Sequence, residues 1–310
     1  RRSDSENPQR NPGSLMLSRE IIRKVRRIQI RTRHLVGDVF AGRYQSAFRG
    51  QGIEFHEARE YVPGDDVRSI DWNVTARMGR PFIKRFVEER EMTVILAADV
   101  SASNRFGSRA QIKKDLIAEM SAVLAFSAVR SNDRVGLLLF SDEVECYLPP
   151  RKGTTHVLRV IREALQFEMQ GRGTRVAAAI DYLNRVLHRR AVCFLLSDFQ
   201  DAGEFDRPLA ALARRHDVIA VIIGDRHEQV WPKAGLVWWQ DLESGQRVLL
   251  DTSHPAARAR LSSLEARRRE ALRTRFRRFG MDTIEVHTGE PYERALARFF
   301  EEREKRRRTA

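Results

Sequence analysis

From Thr93 onward the chain alternates between short runs in which nearly every residue is apolar and longer stretches in which apolar residues recur every three to four positions. The runs Thr93 to Ala98, Val135 to Phe140, Val192 to Ser197 and Val218 to Ile223 predict strands buried on both faces. The stretches Ser108 to Ser131, Thr155 to Leu165, Arg175 to His188 and Phe205 to Arg215 predict amphipathic helices between or after them. Near-continuous Val/Ile/Leu strands alternating with such helices imply an α/β domain, a doubly wound parallel sheet covered on both faces. Trp238 to Leu250 predicts a hairpin turning at Glu243-Ser244-Gly245, and Thr283 to His287 a further strand before a final basic helix. Upstream, Val39 to Val87 is rich in Gly, Arg and aromatic residues with short alternating segments such as Pro81 to Phe86, and reads as a small β module. The expected organisation is a flexible tail over 1–14, a basic amphipathic helix over 15–38, the β module over 39–90, and the α/β domain with its C-terminal hairpin and basic helices over 91–310.

Charge adds a second pattern. The net charge of +14 belongs to the ends: residues 1–50 carry +8 and residues 256–310 carry +7, leaving −1 for the middle. Arg23, Lys24, Arg26, Arg27, Arg31 and Arg33 interleave with Ile21, Ile22, Val25, Ile28 and Ile30, an amphipathic helix with a basic face. Arg267 to Arg269, Arg273, Arg275, Arg277 and Arg278 repeat the arrangement near the C-terminus. These faces are either solvated or turned toward an acidic protein surface or nucleic acid. Two cysteines, Cys146 and Cys193, in strand-like surroundings read as reduced thiols of a cytoplasmic protein. The longest apolar runs, Ala122 to Val129 and Val218 to Ile223, fall far short of the roughly 20 residues of a membrane span, so no membrane insertion is expected.

In open α/β sheets ligands bind beyond the C-terminal strand ends. The first core strand runs into Asp99, Ser101 and Ser103, one carboxylate and two hydroxyls on a single turn; Asp198 follows the strand ending at Ser197, and Gly171-Arg172-Gly173-Thr174 opens a helix between them. All five side chains offer oxygen, which suits Mg²⁺ or Mn²⁺ holding some waters and one position open for an external carboxylate. Zinc would want Cys or His, and none is near in sequence. The competing reading is an Asp or Ser that merely caps the next helix.

This arrangement resembles the metal-ion-dependent adhesion site of von Willebrand factor A domains. Asp99, Ser101 and Ser103 match its first loop, Thr174 its second and Asp198 its third. The resemblance implies metal contact by the three hydroxyls, with the two Asp acting directly or through water. The chain departs from many A domains at Asn104, where Met is common, and at Phe199, where Gly commonly follows the Asp. The preceding segment, Gly50 to Phe55, Arg59-Glu60-Tyr61-Val62-Pro63-Gly64-Asp65-Asp66-Val67-Arg68-Ser69-Ile70-Asp71-Trp72 and Thr75-Ala76-Arg77, looks like the signature of the bacterial family called domain of unknown function 58. The two matches together span about residues 40 to 225. The family is usually linked with MoxR-type AAA+ ATPases, which the resemblance implies as the partner class. Physically, Arg59, Arg68 and Arg77 against Glu60, Asp65, Asp66 and Asp71 suggest an ion-pair network, Pro63-Gly64-Asp65-Asp66 a turn, and Tyr61 and Trp72 packing anchors, serving as a structural clamp or a partner surface.

Rival chemistries find less. His56-Glu57-Ala58-Arg59-Glu60 lacks the second His of a zinc-protease helix, no G-x-S-x-G elbow exists, and Gly171 to Thr174 lacks the Lys of a phosphate-binding loop. A Mg²⁺-dependent hydrolase would need a base beside the metal, which the sequence does not offer. The expected function is therefore non-enzymatic: a metal-dependent protein-interaction module, adaptor to an AAA+ ATPase of the MoxR type, binding an acidic residue of its partner. The alternative is a nucleic-acid-associated protein using the basic terminal helices.

Overall fold

The computed structural model describes residues 23–32, 38–48, 53–88, 91–108, 111–167, 173–201, 203–243 and 245–309. The tail expected over 1–14 lies outside the described residues. Of the helix expected over 15–38, residues 23–32 form a helix, α1.

The centre is a six-stranded sheet built from β3 (Thr93–Asp99), β4 (Arg134–Phe140), β5 (Val144–Arg151), β6 (Val192–Ser197), β7 (Asp217–Gly224) and β10 (Asp282–His287). Its order is β10-β7-β6-β3-β4-β5, parallel throughout except that β5 returns antiparallel beside β4. The fold is the expected α/β class, a mostly parallel sheet with helices on both faces. Side chains of β3 alternate between the two: Val94, Leu96 and Ala98 face one apolar layer, Ile95 and Ala97 the other. The first layer is completed by α4 (Lys113–Arg130), α5 (Thr154–Gln166) and α10 (Glu293–Thr309); the second by α6 (Val176–Val186), α7 (Asp206–Arg215) and α9 (Pro255–Arg278). Burial on both faces is why these strands read as unbroken apolar runs.

The β module is shorter than expected. Residues 38–48 form a helix, α2 (Asp38–Phe48), whose Tyr44, Ala47 and Phe48 are fully buried in the first layer. The Phe48 ring lies 6.1 Å from both Phe194 and Phe300, and the Tyr44 hydroxyl donates to Asp133 at 3.1 Å. Those aromatics belong to the α/β core and draw the segment into it. What remains is a hairpin of β1 (Ile53–Glu60) and β2 (Phe82–Glu88) enclosing α3 (Trp72–Met78). The expected second hairpin forms from β8 (Leu236–Gln240) and β9 (Arg247–Asp251), after a short α8 (Arg226–Gln229), and stands apart from the main sheet.

The basic helices are answered in part within the chain, while Arg23, Arg26, Arg27, Arg267, Arg277 and Arg278 are exposed. Lys24 pairs with Asp115 at 3.3 Å, and Arg31 with Glu119 at 3.4 Å and Glu293 at 3.2 Å. On α9, Arg269 is almost fully buried and bound to Glu265 at 2.7 Å, while Arg273 grips Glu285 and Arg275 pairs with Asp206 over the Phe205 ring. Among the described residues no helix is long and apolar enough to cross a membrane.

Candidate functional site

Two adjacent strand ends create the site. β3 and β6 pair in parallel with Ala98 opposite Leu196, so Asp99 and the Ser197-Asp198 pair emerge side by side at the centre of the sheet. Asp99 is fully buried; its Oδ1 accepts the Ser101 backbone N–H at 2.8 Å and its Oδ2 the Ser197 hydroxyl at 2.5 Å. After Asp99 the chain turns through a short 3₁₀ segment, Ala102–Arg105, that holds the Ser101 and Ser103 hydroxyls 3.0 Å apart. Asn104, where many A domains carry Met, donates from Nδ2 to the Asp99 carbonyl at 3.3 Å and to Ser101 Oγ at 3.2 Å. The amide thus stitches the turn together, while its own buried Oδ1 has no donor among the described residues.

Asp198 is also fully buried, and its Oδ1 accepts the Gln200 N–H at 3.1 Å. The next residue, Phe199, takes a left-handed backbone with φ +52°, the conformation that Gly adopts without strain at the position where A domains commonly carry it. The loop tolerates phenylalanine because the ring is buried 5.0 Å from Phe276 of α9, and because Arg268 donates to the carbonyls of Asp198 and Phe199 at 3.1 and 3.3 Å. The second loop is tied to the end of β4: Arg175 N–H donates to the Ser141 carbonyl at 2.8 Å, which brings Thr174 to the same end of the sheet.

Three residues of the site were not singled out in the sequence. Lys113, the first residue of α4, is wholly buried and places its ammonium 3.0 Å from Asp198 and 2.6 Å from Glu228. Burial alone would lower its pKa, yet the two carboxylates hold it above the ordinary lysine value. Glu243, in the β8–β9 turn, accepts the Thr174 hydroxyl on Oε1 at 2.5 Å, and its carboxyl is held above the ordinary value by burial and then by the Asp198 charge. Glu228 sits 115 positions from Lys113, and Glu243 reads as a turn residue; nothing local marked them.

The electrostatics follow from burial. The Asp99 carboxyl is pushed up to about 7 by its removal from water and then by the neighbouring Asp198 charge. Asp99 and Asp198 are both buried, and among the described residues the Lys113 ammonium pairs with Asp198 and Glu228 while no ion pair reaches Asp99. Among the described residues no three His, Cys, Asp or Glu side chains converge as a metal cluster. The expected set is different in kind, two carboxylates and three hydroxyls, all oxygen, and that donor chemistry fits a hard divalent ion.

The upstream signature forms a compact turn structure. Arg59 donates to Asp65 at 2.6 Å, and Asp65 also accepts the Val62 N–H at 3.0 Å. Gly64 has φ +109°, and Tyr61 N–H donates to the Pro81 carbonyl at 2.8 Å. Asp66 Oδ1 accepts the Arg68 N–H, and Asp71 caps α3 by accepting from Asn73 and Val74. The acids expected to form a network thus act mainly as backbone caps, with Arg68 and Arg77 exposed. Trp72 is not a packing anchor: it is 70% exposed, because α3 is fixed to β2 through the Thr75 hydroxyl, which accepts the Phe82 N–H at 3.0 Å.

An uncharacterized protein of Mycobacterium bovis is 31% identical over 282 residues, 90% of this chain and 88% of its own length. Among solved structures, an aerotolerance-related membrane protein from Bacteroides fragilis is 15% identical with TM-score 0.45, covering 69% of this chain and 99% of that one. The VWA domain of SpRpn10 is 11% identical with TM-score 0.37, covering 66% and 93%. A family model described as "Protein of unknown function DUF58" matches residues 57–271. With that match over most of its length and a relative aligned along nine-tenths of it, the chain belongs to the DUF58 family, as its signature and strand-end residues led us to expect.

Proposed function

We propose that the chain is a protein-interaction module whose central crevice holds Mg²⁺ or Mn²⁺ through Asp99, Ser101, Ser103, Thr174 and Asp198 and receives an acidic side chain from a partner protein. The observation that carries this reading is the pair of fully buried carboxylates, Asp99 and Asp198, set at adjacent strand ends beside hydroxyls, with no ion pair at Asp99 among the described residues and Lys113 divided between Asp198 and Glu228. A bound divalent ion would supply the missing charge and a coordination position for an external carboxylate. The chain's own residues do the rest. Ser197 and the Ser101 amide orient Asp99, Asn104 fixes the serine turn, and Lys113 donates to the buried Asp198 at 3.0 Å. The partner class that follows from the family resemblance is an AAA+ ATPase of the MoxR type, with no chemistry performed by this chain.

Nucleic-acid association through the terminal helices has less behind it. Arg268, Arg269, Arg273 and Arg275 are already spent on Glu265, Glu285, Asp206 and backbone carbonyls, whereas phosphate binding needs free cations. The test is thermal unfolding during a Mg²⁺ or Mn²⁺ titration, for the wild type and Asp99→Ala. A site filled at 100 times its Kd adds about 2.7 kcal/mol. A metal-dependent rise in the wild type alone supports the reading; no rise in either protein removes it.

A further inference from the structure

We propose that Glu243, in the turn of the β8–β9 hairpin, is the chain's own occupant of the carboxylate position in this site, so that an acidic partner must displace the hairpin to bind. The inference rests on the metal-site reading above and adds to it a specific internal competitor. Its starting point is the contact between Thr174 and Glu243, 69 residues apart, in which the threonine hydroxyl expected at the metal already faces a carboxylate oxygen at 2.5 Å. Asp198 adds a second negative charge to the surroundings of Glu243, and a cation held in the site would relieve their repulsion.

The surroundings support a removable cover. A cavity of about 210 Å³ separates the hairpin from the sheet, with Ser103, Lys113 and Glu228 on one wall and Trp239, Asp241 and Glu243 on the other. Of the five residues proposed to hold the ion, Ser103 reaches this cavity, with Glu243 opposite it on the hairpin. The hairpin is held by side chains, not by the main sheet: Trp239 stacks 6.3 Å from Phe106 and 5.1 Å from Trp231. Its base is tied by Thr252, which donates from N–H and Oγ1 to the Gly235 carbonyl at 2.8 Å. Behind it lies a largely apolar hollow of about 770 Å³ against α9, lined among others by Phe199, Trp231, Leu264 and Leu272, while Trp238 and Leu249 face solvent. An element with solvent on one side and a hollow on the other has few contacts to lose on moving.

The test uses the full chain, Mn²⁺ alone and then Mn²⁺ with acetate, read by calorimetry and by tryptophan fluorescence. Glu243→Gln keeps an acceptor for Thr174 but removes the charge. The expected results are at least a tenfold weaker Mn²⁺ affinity in Glu243→Gln with an unchanged metal-free fluorescence spectrum, and a restoration of Mn²⁺ affinity by acetate in Glu243→Ala that the wild type does not show. Equal Mn²⁺ affinity in wild type and Glu243→Gln overturns the internal ligand and leaves the metal site standing. Mn²⁺ binding that is absent from the wild type, or unaffected by Asp99→Ala, overturns both together.

Discussion

Replacing Lys113 by methionine removes the one ammonium that compensates Asp198 while keeping the side-chain volume in a fully buried position. The Lys113 Nζ lies 3.0 Å from Asp198 Oδ2 and 2.6 Å from Glu228 Oε1, with all of Lys113 and Asp198 out of water. Glu228 keeps other donors, the Asp225 N–H at 3.0 Å and the Gln200 amide at 3.3 Å, so the uncompensated charge falls mainly on Asp198. At an effective dielectric of about 20, Coulomb's law assigns roughly 5 kcal/mol to unit charges at this separation. Breaking a buried pair by deleting one partner typically costs about 3 to 5 kcal/mol. A chain of this size has an unfolding entropy of about 0.65 kcal/mol/K, so the melting temperature should drop by roughly 5 to 8 °C. Calorimetry in a chelating buffer measures it, and Lys113→Met with Asp198→Asn should recover most of the loss because the orphaned charge is gone. A single variant melting within a degree of wild type, or a double variant no better than the single, would refute the claim that this ammonium neutralises a desolvated carboxylate. Adding Mg²⁺ to the single variant should close part of the gap, since a second cation then answers Asp198.

Further outcomes concern His216 and Phe199. His216 is buried, accepts the Ala191 N–H at 3.2 Å, and has its pKa lowered to about 4 by burial and by Arg215 and Arg190. The unfolded chain therefore binds a proton that the folded chain refuses between about pH 6.5 and 4, and stability falls as pH drops through that window at up to about 1.4 kcal/mol per pH unit. Urea titrations at several pH values should show His216→Gln flattening this slope; an identical pH profile would mean that another group carries it. Phe199→Gly relieves a left-handed residue, worth about 1 to 2 kcal/mol, but forfeits a buried ring whose truncation costs about 3 to 5 kcal/mol. The net expectation, read from denaturant midpoints, is a loss of about 1 to 4 kcal/mol, and a variant as stable as wild type would show that the ring contributes no packing.

Much of the sheet was legible because its strands are buried on both faces and so write themselves as apolar runs; β6 coincides with the stretch Val192 to Ser197. β5 was not read as an element because Pro149 and Pro150 interrupt it, yet as an antiparallel edge strand it has one side without partners and accommodates them. α2 was hidden for another reason. Its Gly42, Arg43 and Tyr44 look like loop composition, and only the Phe194, Phe299 and Phe300 rings waiting in the core make its aromatic side decisive. At the site, Asp99 and Asp198 were legible from their strand ends, since register alone brings them together. Lys113, Glu228 and Glu243 were not, because their meaning arises only where loops separated by up to 115 residues converge.

The docking of α2 against α10 ties the beginning of the described chain to its end. Arg303 donates to the Ala47 carbonyl, 256 positions earlier, at 3.3 Å, and its guanidinium lies over the Phe48 ring, while the same side chain pairs with Asp217 and Asp282 at the bases of β7 and β10. A ribosome delivers these partners in the wrong order for early closure. As residues emerge at about 5 to 20 per second, Tyr44 and Phe48 are out of the tunnel many seconds before the helix that covers them exists. The aromatic side of α2 must therefore stay sheltered on nascent β-strands or on a chaperone until the last turns of α10 appear, and nonsense truncations that spare every site residue but remove α10 should still yield chains that are cleared by proteolysis.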